Sequence, residues 1–471
     1  MAGKHGVTAT AYCLGHCDSS PAVLLPGGEV THGQAAKDWA RGAQAAAAPP
    51  EVSVRSVARR PIVTERLIQG SHAALARARQ AGVYEALGKA LHETTPEELL
   101  TVIEASGQQG RGGAGYPTGR KWRACSRTDD ATRYVVANGD EGDPGTFIDR
   151  LLLEDDPHAV LEGLILCGRA IGAREGVVFI RGEYPHARAR MAQAIVEARE
   201  AGLLGTSILG YDFTFDVRLV SGEGGYVCGE ETALLNAIEG RRGEVRVRPP
   251  YPTDRGLFGK PTVVNNIETL VNIPWIVREG AEAYRRLGTT GSPGTKAFCL
   301  NRGFSRPGVV EAEFGINLQD LVETHAGGGA DGGKLAAIVL GGPMGSVLTP
   351  AEWNVVIAYE ALAERGVRLG HGGLVAIPSG TDMYNVLLNW AEFMTAESCG
   401  KCVPCGLGSR QALELVRRMR ESPCQAGRLL DELTTLMRTV EAASLCGFGR
   451  GIASPIVTVA ELLRCTGQTD G

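Results

Sequence analysis

The sequence contains no run of 18 apolar residues, so nothing in it reads as a membrane-spanning helix. It also lacks the charged-then-apolar start of a secretion signal, and a cytoplasmic location is the expectation. No excess of one charge sign appears. Lysine and arginine total 48 against 53 aspartates and glutamates, and a net charge of −5 gives no electrostatic footprint for nucleic acid or an anionic membrane. Lysine itself is scarce, 8 of those 48, which we read as codon bias without functional weight. Low hydrophobicity is absent as well: 44% hydrophobic and 21% charged residues exclude wholesale disorder. A length of 471 residues allows two to four domains with sizeable cores.

Glycine is plentiful at 64 residues, and cysteine is informative at 12. In a long chain without a secretion signal, clustered thiols suggest metal sooner than disulfides. Cys399, Cys402 and Cys405 form C-x2-C-x2-C, and Cys446 follows after 40 intervening residues. Structural zinc more often uses two C-x2-C pairs or Cys/His mixtures. Three close thiols with one remote thiol favour a [4Fe–4S] cubane. Gly400, Pro404 and Gly406 suit the tight loop, and Cys446 stands before Gly447, where a helix gives out. Cys424, in a Ser-Pro turn, is the less well placed competitor for fourth ligand. Cys13 and Cys17 form a lone C-x3-C pair, and the other thiols read as buried hydrophobes.

The first sixty residues differ from the rest, and Ala43–Pro50 reads as an Ala/Pro-rich linker. Thr95-Pro96-Glu97-Glu98 is a capping box that starts a helix ending at Gly107. Strands are expected at Tyr134–Ala137, Val177–Ile180 and Phe213–Val220, with helices over Pro157–Gly172 and Pro185–Leu203 between them. That alternation implies an α/β fold with a parallel sheet, whose ligands bind beyond the carboxyl ends of the strands. Glycine-and-carboxylate segments occupy those ends: Asn138–Asp143, Arg181–Glu183 and Gly222–Glu231. Thr295–Arg302 and Gly308–Phe314 suggest a hairpin, followed by a short helix near Leu318–Thr324 and a strand at Leu335–Leu340. That order fits a small β-grasp module. Beyond Thr381 the pattern is helical, and the stripes Met383, Leu387, Trp390, Met394 and Leu429, Leu430, Leu433, Leu436, Met437, Val440 read as bundle core.

Gly110–Trp122 contains G-x-G-x-x-G, but a helix precedes it where a dinucleotide fingerprint requires a strand. Its bare amides can still cradle a phosphate or lie against a flat ring, with Lys121 adding charge and Tyr116 a stacking face. A glycine-rich surface loop is the alternative. Adjacent Glu230 and Glu231 would repel phosphates, so ribose hydroxyls or a nicotinamide amide are their useful partners. Asn265 and Asn266 offer both donors and acceptors to a ring edge, or else cap a helix.

Gly110–Trp122, Asn138–Asp149, Tyr226–Glu231, Gly259–Thr269, Glu397–Cys405 and Ser444–Cys446 together resemble the NADH-binding flavoprotein subunit of respiratory complex I. They equally resemble the diaphorase subunits of NAD-dependent formate dehydrogenases and NAD-reducing hydrogenases, over about Pro96 to Pro455. The resemblance implies a Rossmann-like FMN domain at 60–292, a β-grasp (SLBB-like) domain at 293–378, and a helical bundle with a [4Fe–4S] cluster at 379–471. Residues 1–59 would be a thioredoxin-like [2Fe–2S]-type remnant and linker; only two of four ligands are present, so Cys13 and Cys17 are structural or half of a site shared with another chain.

Carried over by motif, the FMN cradle would be Gly110, Arg111, Gly112, Gly113, Gly115, Lys121, Asn138, Asp140, Glu141, Tyr226, Gly229, Glu230, Asn265, Asn266 and Thr269. NAD(H) would meet Tyr116, Asp143, Glu231, Arg248 and Tyr251. Relatives often have Phe at the two tyrosines, Lys at Arg248 and Glu at Asp143; stacking and charge type survive each swap. No side chain is expected to be catalytic, because flavin takes the hydride and passes electrons singly to the cluster. The motif wording leans toward the beta subunit of formate dehydrogenase reducing NAD+, partnered by a molybdenum- or tungsten-containing iron–sulfur subunit and a small [2Fe–2S] subunit, with neither nucleic acid nor direct membrane insertion. The complex I or hydrogenase counterpart is the alternative. A flavin-free wiring or docking subunit is the non-enzymatic reading.

Overall fold

The computed structural model describes residues 17–18, 22–24, 30–32, 36 and 52–465. Cys13 and the tract 43–50 lie outside the described residues. Strands β1 (Ala22–Leu24) and β2 (Val30–His32) pair antiparallel, and β3 (Val54–Ser56) follows.

A four-stranded parallel sheet is formed by β4 (Tyr134–Gly139), β5 (Glu175–Ile180), β6 (Asp216–Ser221) and β7 (Thr262–Asn266) in the order β6-β5-β4-β7. Crossover helices Pro157–Ile171 and Pro185–Glu200 connect the first three strands. Almost every residue of Pro157–Ile171 is buried, because it lies between the sheet and the helix Ile267–Glu279. One expected strand is displaced: Phe213 and Phe215 precede β6 instead of beginning it. Their buried rings stack 6.2 Å apart, and Phe215 bridges to Gly205. Alternating aromatics thus anchor a loop here, a pattern that a strand shares.

The second sheet is mixed. Its order is β11-β10-β12-β8-β9-β3, with β8 (Thr295–Leu300), β9 (Gly308–Glu313), β10 (Leu335–Leu340), β11 (Ser346–Leu348) and β12 (Gly373–Pro378). The expected hairpin is β8/β9 in the register Thr295↔Glu313, and Leu318–Asp320 continues into one wider turn, Leu321–His325. Neither β11 nor β12 was expected. Strand β3 pairs parallel with β9, so the stretch just before residue 60 belongs to this sheet and not to an N-terminal linker.

Four α-helices make up the last part of the described residues: Met383–Glu397, Val403–Glu421, Ala426–Ala443 and Gly447–Cys465. Met383, Leu387, Met394, Leu429, Leu430, Leu433, Met437 and Val440 are buried in their common core. Trp390 is half-buried and donates its indole N–H to the Pro343 carbonyl at 3.3 Å, tying the bundle to the mixed sheet. Among the described residues no helix is long and apolar enough to cross a membrane.

Candidate functional site

Asn138 at the end of β4 stands opposite Asn266 at the end of β7, and the strand order reverses between these two strands. Open parallel sheets bind ligands at such a reversal, beyond the carboxyl ends. A cleft opens there, lined by Gly112, Asn138, Asp140, Tyr226, Gly229, Glu230 and Asn266 of the expected cradle. Side chains from other parts of the fold complete it: Asp149, Met344, His371 and Phe448.

Hydrogen bonds stitch these segments together. The Asn138 amide donates to the Gly229 carbonyl at 2.9 Å, and its oxygen accepts from the Asp140 N–H at 3.0 Å. Asn266 caps the helix Ile267–Glu279 by accepting from the Thr269 N–H at 3.2 Å, while its amide nitrogen donates to Asp149 at 2.5 Å. The cap reading of the asparagine pair therefore holds for Asn266, whose side chain also lines the cleft. Thr269 Oγ1 accepts from the Arg111 N–H at 2.8 Å and pins the glycine loop. Glu230 caps the helix Glu231–Ile238 through the Thr232 and Ala233 amides. Tyr226 donates its hydroxyl to Asp143 at 2.5 Å and its N–H to Glu397 of the bundle at 2.9 Å.

Two glycines show how tight the walls are. A Cβ on Gly112 would lie 2.9 Å from the Asn266 Cβ, and one on Gly142 would lie 2.6 Å from the Tyr226 ring. The cleft is also electrostatically unfinished. Burial pushes Asp140 up to about 7, against the pull of Arg181, and its Oδ2 is buried without a protein partner. Burial likewise raises Asp143 and Glu141. An acceptor left this way calls for a donor, and a ribityl hydroxyl or a ring imide N–H is one.

Other expected residues support the cleft from behind. The Arg111 guanidinium is fully buried and directed away from it, donating to the Tyr284 hydroxyl at 2.8 Å and the Pro293 carbonyl at 2.9 Å. Only its backbone remains in the loop. Asn265 turns toward Trp122 and Cys167, and Glu141 accepts the Asp149 and Arg150 amides at 3.1 and 3.0 Å. Gly110 is held by the Tyr359 hydroxyl at 2.9 Å, while Gly113 and Gly115 turn the loop at φ 114° and 61°. Lys121 reaches the Val264 carbonyl at 3.1 Å and Glu231 at 3.2 Å.

Of the residues expected to meet NAD(H), Tyr116 and Tyr251 present exposed rings, 53% and 54% accessible. Glu231 sits between Lys121 and Arg248, each 3.2 Å away. Asp143 is buried inside the cleft, where Tyr226 holds it.

Beside the cleft lie the cysteines. Cys399 and Cys402 precede the helix Val403–Glu421, Cys405 is within its first turn, and Cys446 immediately precedes Gly447–Cys465. Burial and the three other thiols push Cys405 up to about 11. Burial raises Cys446 too, opposed by the Phe448 and Gly449 amides that point at its sulfur. Cys399 and Cys402 feature among the charges that raise both Cys405 and Cys446, and a set of thiols that feel one another in this way fits a shared cationic centre. Ser398 contacts the Cys405 sulfur at 3.2 Å, and Arg242 donates to the Cys399 carbonyl at 3.1 Å. Cys424 is exposed in a turn and takes no part in this cluster. Gly447 and Phe448, the next residues after Cys446, line the cleft.

Comparison with known proteins agrees with this geometry. The family described as the Nuo51 FMN-binding domain matches residues 103–275, and the NADH-ubiquinone oxidoreductase-F iron-sulfur binding region matches 385–464. An NADH-quinone oxidoreductase subunit of Rhizobium meliloti (strain 1021) is 43% identical over 372 residues, 79% of this chain and 88% of its own length. The NADP-reducing hydrogenase subunit HndC of Solidesulfovibrio fructosivorans is 42% identical over 378 residues, covering 80% of this chain and 76% of its own. Among solved structures, a chain of the NAD+-reducing [NiFe]-hydrogenase in the H2-reduced state superposes with a TM-score of 0.80 at 30% identity. The match spans 97% of this chain and 76% of that one.

Proposed function

The chain belongs to the family of NADH-binding FMN/[4Fe–4S] flavoprotein subunits, and on that premise we propose that it is the diaphorase subunit of an NAD-dependent formate dehydrogenase. Its cofactors are FMN and a [4Fe–4S] cluster, and NADH is its substrate. One observation carries the electron-transfer reading: the residues directly following Cys446 form part of the cleft wall, so the two sites share a boundary.

When bound, FMN supplies the exchange between a two-electron hydride and single electrons that neither nicotinamide nor an iron–sulfur cluster provides. The protein's residues hold, orient and seal. Asn138, Asp140, Asn266 and the backbone of Gly112 would hold the flavin, and Asp140 Oδ2 would accept one of its donors. Tyr116 and Tyr251 would stack on the nucleotide at the open rim, with Glu231 fixed by its two cations to accept a ribose hydroxyl or carboxamide N–H. The Tyr226 ring packs edge-on against Phe393 at 5.1 Å and beside Phe448 at 5.5 Å, joining the cleft wall to the bundle core against which Cys402 and Cys446 also pack. Cys399, Cys402, Cys405 and Cys446 would ligate the cluster.

The formate assignment is supported by the wording of Asn138–Gly145 and Ser444–Gly449, which resembles the formate-dehydrogenase diaphorases. Partners would then be a molybdenum- or tungsten-containing subunit and a small [2Fe–2S] subunit. A hydrogenase diaphorase is the second reading, favoured by the 97% coverage of this chain in the NAD+-reducing [NiFe]-hydrogenase. The test is anaerobic purification with metal analysis. The proposal expects a yellow-brown protein that releases FMN on denaturation, reduces a dye with NADH, and brings molybdenum or tungsten with it. Co-purifying nickel would overturn the formate assignment, and flavin-free protein with full iron would overturn the enzyme.

A further inference from the structure

At the cleft wall, His371, which lies outside every motif that marks the site, meets Glu141 and Asp149 of the Asn138–Asp149 segment; the three bring ligand atoms within 4.8 Å of one another, all buried. Such a trio invites a metal reading, but its lone pairs are already used. Both Glu141 oxygens accept backbone N–H groups, and Asp149 Oδ1 accepts the Glu268 N–H at 3.2 Å. Asp149 Oδ2 takes the Asn266 amide at 2.5 Å and lies 3.2 Å from His371 Nε2. The imidazole is thus aimed at a carboxylate that is itself held in place. Its Nε2 is therefore the donor to Asp149, and the Asn266 nitrogen 3.1 Å away is a neighbour sharing the same acceptor. No group among the described residues bonds Nδ1, although His371 lines the cleft.

We propose that His371 is a further flavin-positioning residue: ionised against Asp149, it presents Nδ1–H as a cationic donor to an acceptor atom of the bound FMN. This rests on the flavin reading of the cleft. The charges around the imidazole support its ionised form. Asp149 comes from the helix Ile148–Asp155, and Glu141 and Asp143 from the loop after β4, with the Asp143 carboxylate accepting the His371 backbone N–H. Lys296 on β8 opposes them, but its ammonium is paired with buried Glu268. Burial, the largest single influence, lowers the imidazole, yet the charge and hydrogen bond of Asp149 together with Glu141 outweigh it and push His371 up to about 9. A cation at that wall favours whichever state of the ligand bears more negative charge, which for a flavin is the reduced one.

The test uses the whole chain with FMN and cluster loaded, comparing wild type with H371Q. Spectroelectrochemical titration of the flavin at pH 7 is expected to give a more negative midpoint in H371Q, and the difference should vanish at pH 10, where His371 is neutral. Carbon-13 histidine NMR of the chain without FMN should show one imidazole, absent from H371Q, that remains protonated above pH 8. Equal midpoints at pH 7, or a His371 that titrates in the ordinary histidine range, would overturn the proposal. If H371Q does not fold, the wild type decides: its midpoint-against-pH line bends near 9, and a line without that bend contradicts the role. A wild-type chain that takes up no FMN would sink the function itself, while the NMR titration still reports on the imidazole.

Discussion

Three of the four thiols proposed as cluster ligands lie between residues 399 and 405, and the fourth stands at a helix start. The cleft beside them draws its walls from two strand ends, a glycine loop, the Tyr226 turn, the mixed sheet and the bundle. The two sites also differ in how their polar groups are satisfied. Asn138, Asn266, Glu230 and Tyr226 already have protein partners, so the cleft's shape is largely preformed. Cys405 and Cys446 have few partners, Ser398 for one and the Phe448 and Gly449 amides for the other, and burial with the neighbouring thiols disfavours their thiolates until a cation arrives. A preformed cleft should survive loss of its ligand, whereas the cysteine loop should depend on its metal.

The largest effect should come from C446S. It removes one of the four proposed ligands, so iron content and cluster absorbance should fall almost to nothing while FMN content stays near wild type. Iron and flavin assays on one preparation check this, and parallel loss of both would break the contrast. A smaller effect is expected from G142A. Its added methyl would sit 2.6 Å from the Tyr226 ring, and overpacking of about 1–3 kcal/mol corresponds to FMN binding weakened about 5- to 150-fold. Iron should stay unchanged, and unaltered flavin affinity would show that the wall is softer than described.

The smallest effect concerns Asp140. Burial raises its pKa in the folded chain, so the folded state holds this proton more tightly than the unfolded one. Its contribution to stability is therefore present at low pH and fades as pH climbs through about 7. In FMN-free protein, D140N should flatten the fall in Tm between pH 5 and pH 8. An unchanged slope would place the titration elsewhere.

How much of this was legible follows the same contrast. Cysteine spacing, the capping box at Thr95 and the apolar stripes of the bundle are local signals, and the structure carries each of them. Three strands of the parallel sheet were legible from alternating elements, and so was the gathering of Asn138, Tyr226 and Glu230 at its carboxyl edge; β7, which brings Asn266 there, was not. What escaped was set by distant partners. Arg111 sits in the glycine motif, yet Tyr284 and Pro293 draw its guanidinium inward. His371 lies among glycines in no motif, and only the approach of Asp149 gives it meaning. Strand β12 follows a glycine-rich turn and ends at a proline, so it is defined by pairing with β8 and β10.

The central claim is that electrons cross from the cleft to the cysteine quartet by way of flavin. Protein stripped of FMN with its iron intact should be mixed anaerobically with NADH, and the reduced cluster followed by electron paramagnetic resonance before and after FMN is restored. The account predicts no reduced-cluster signal without FMN and a full signal once it is returned. A cluster that NADH reduces in the absence of flavin would contradict it.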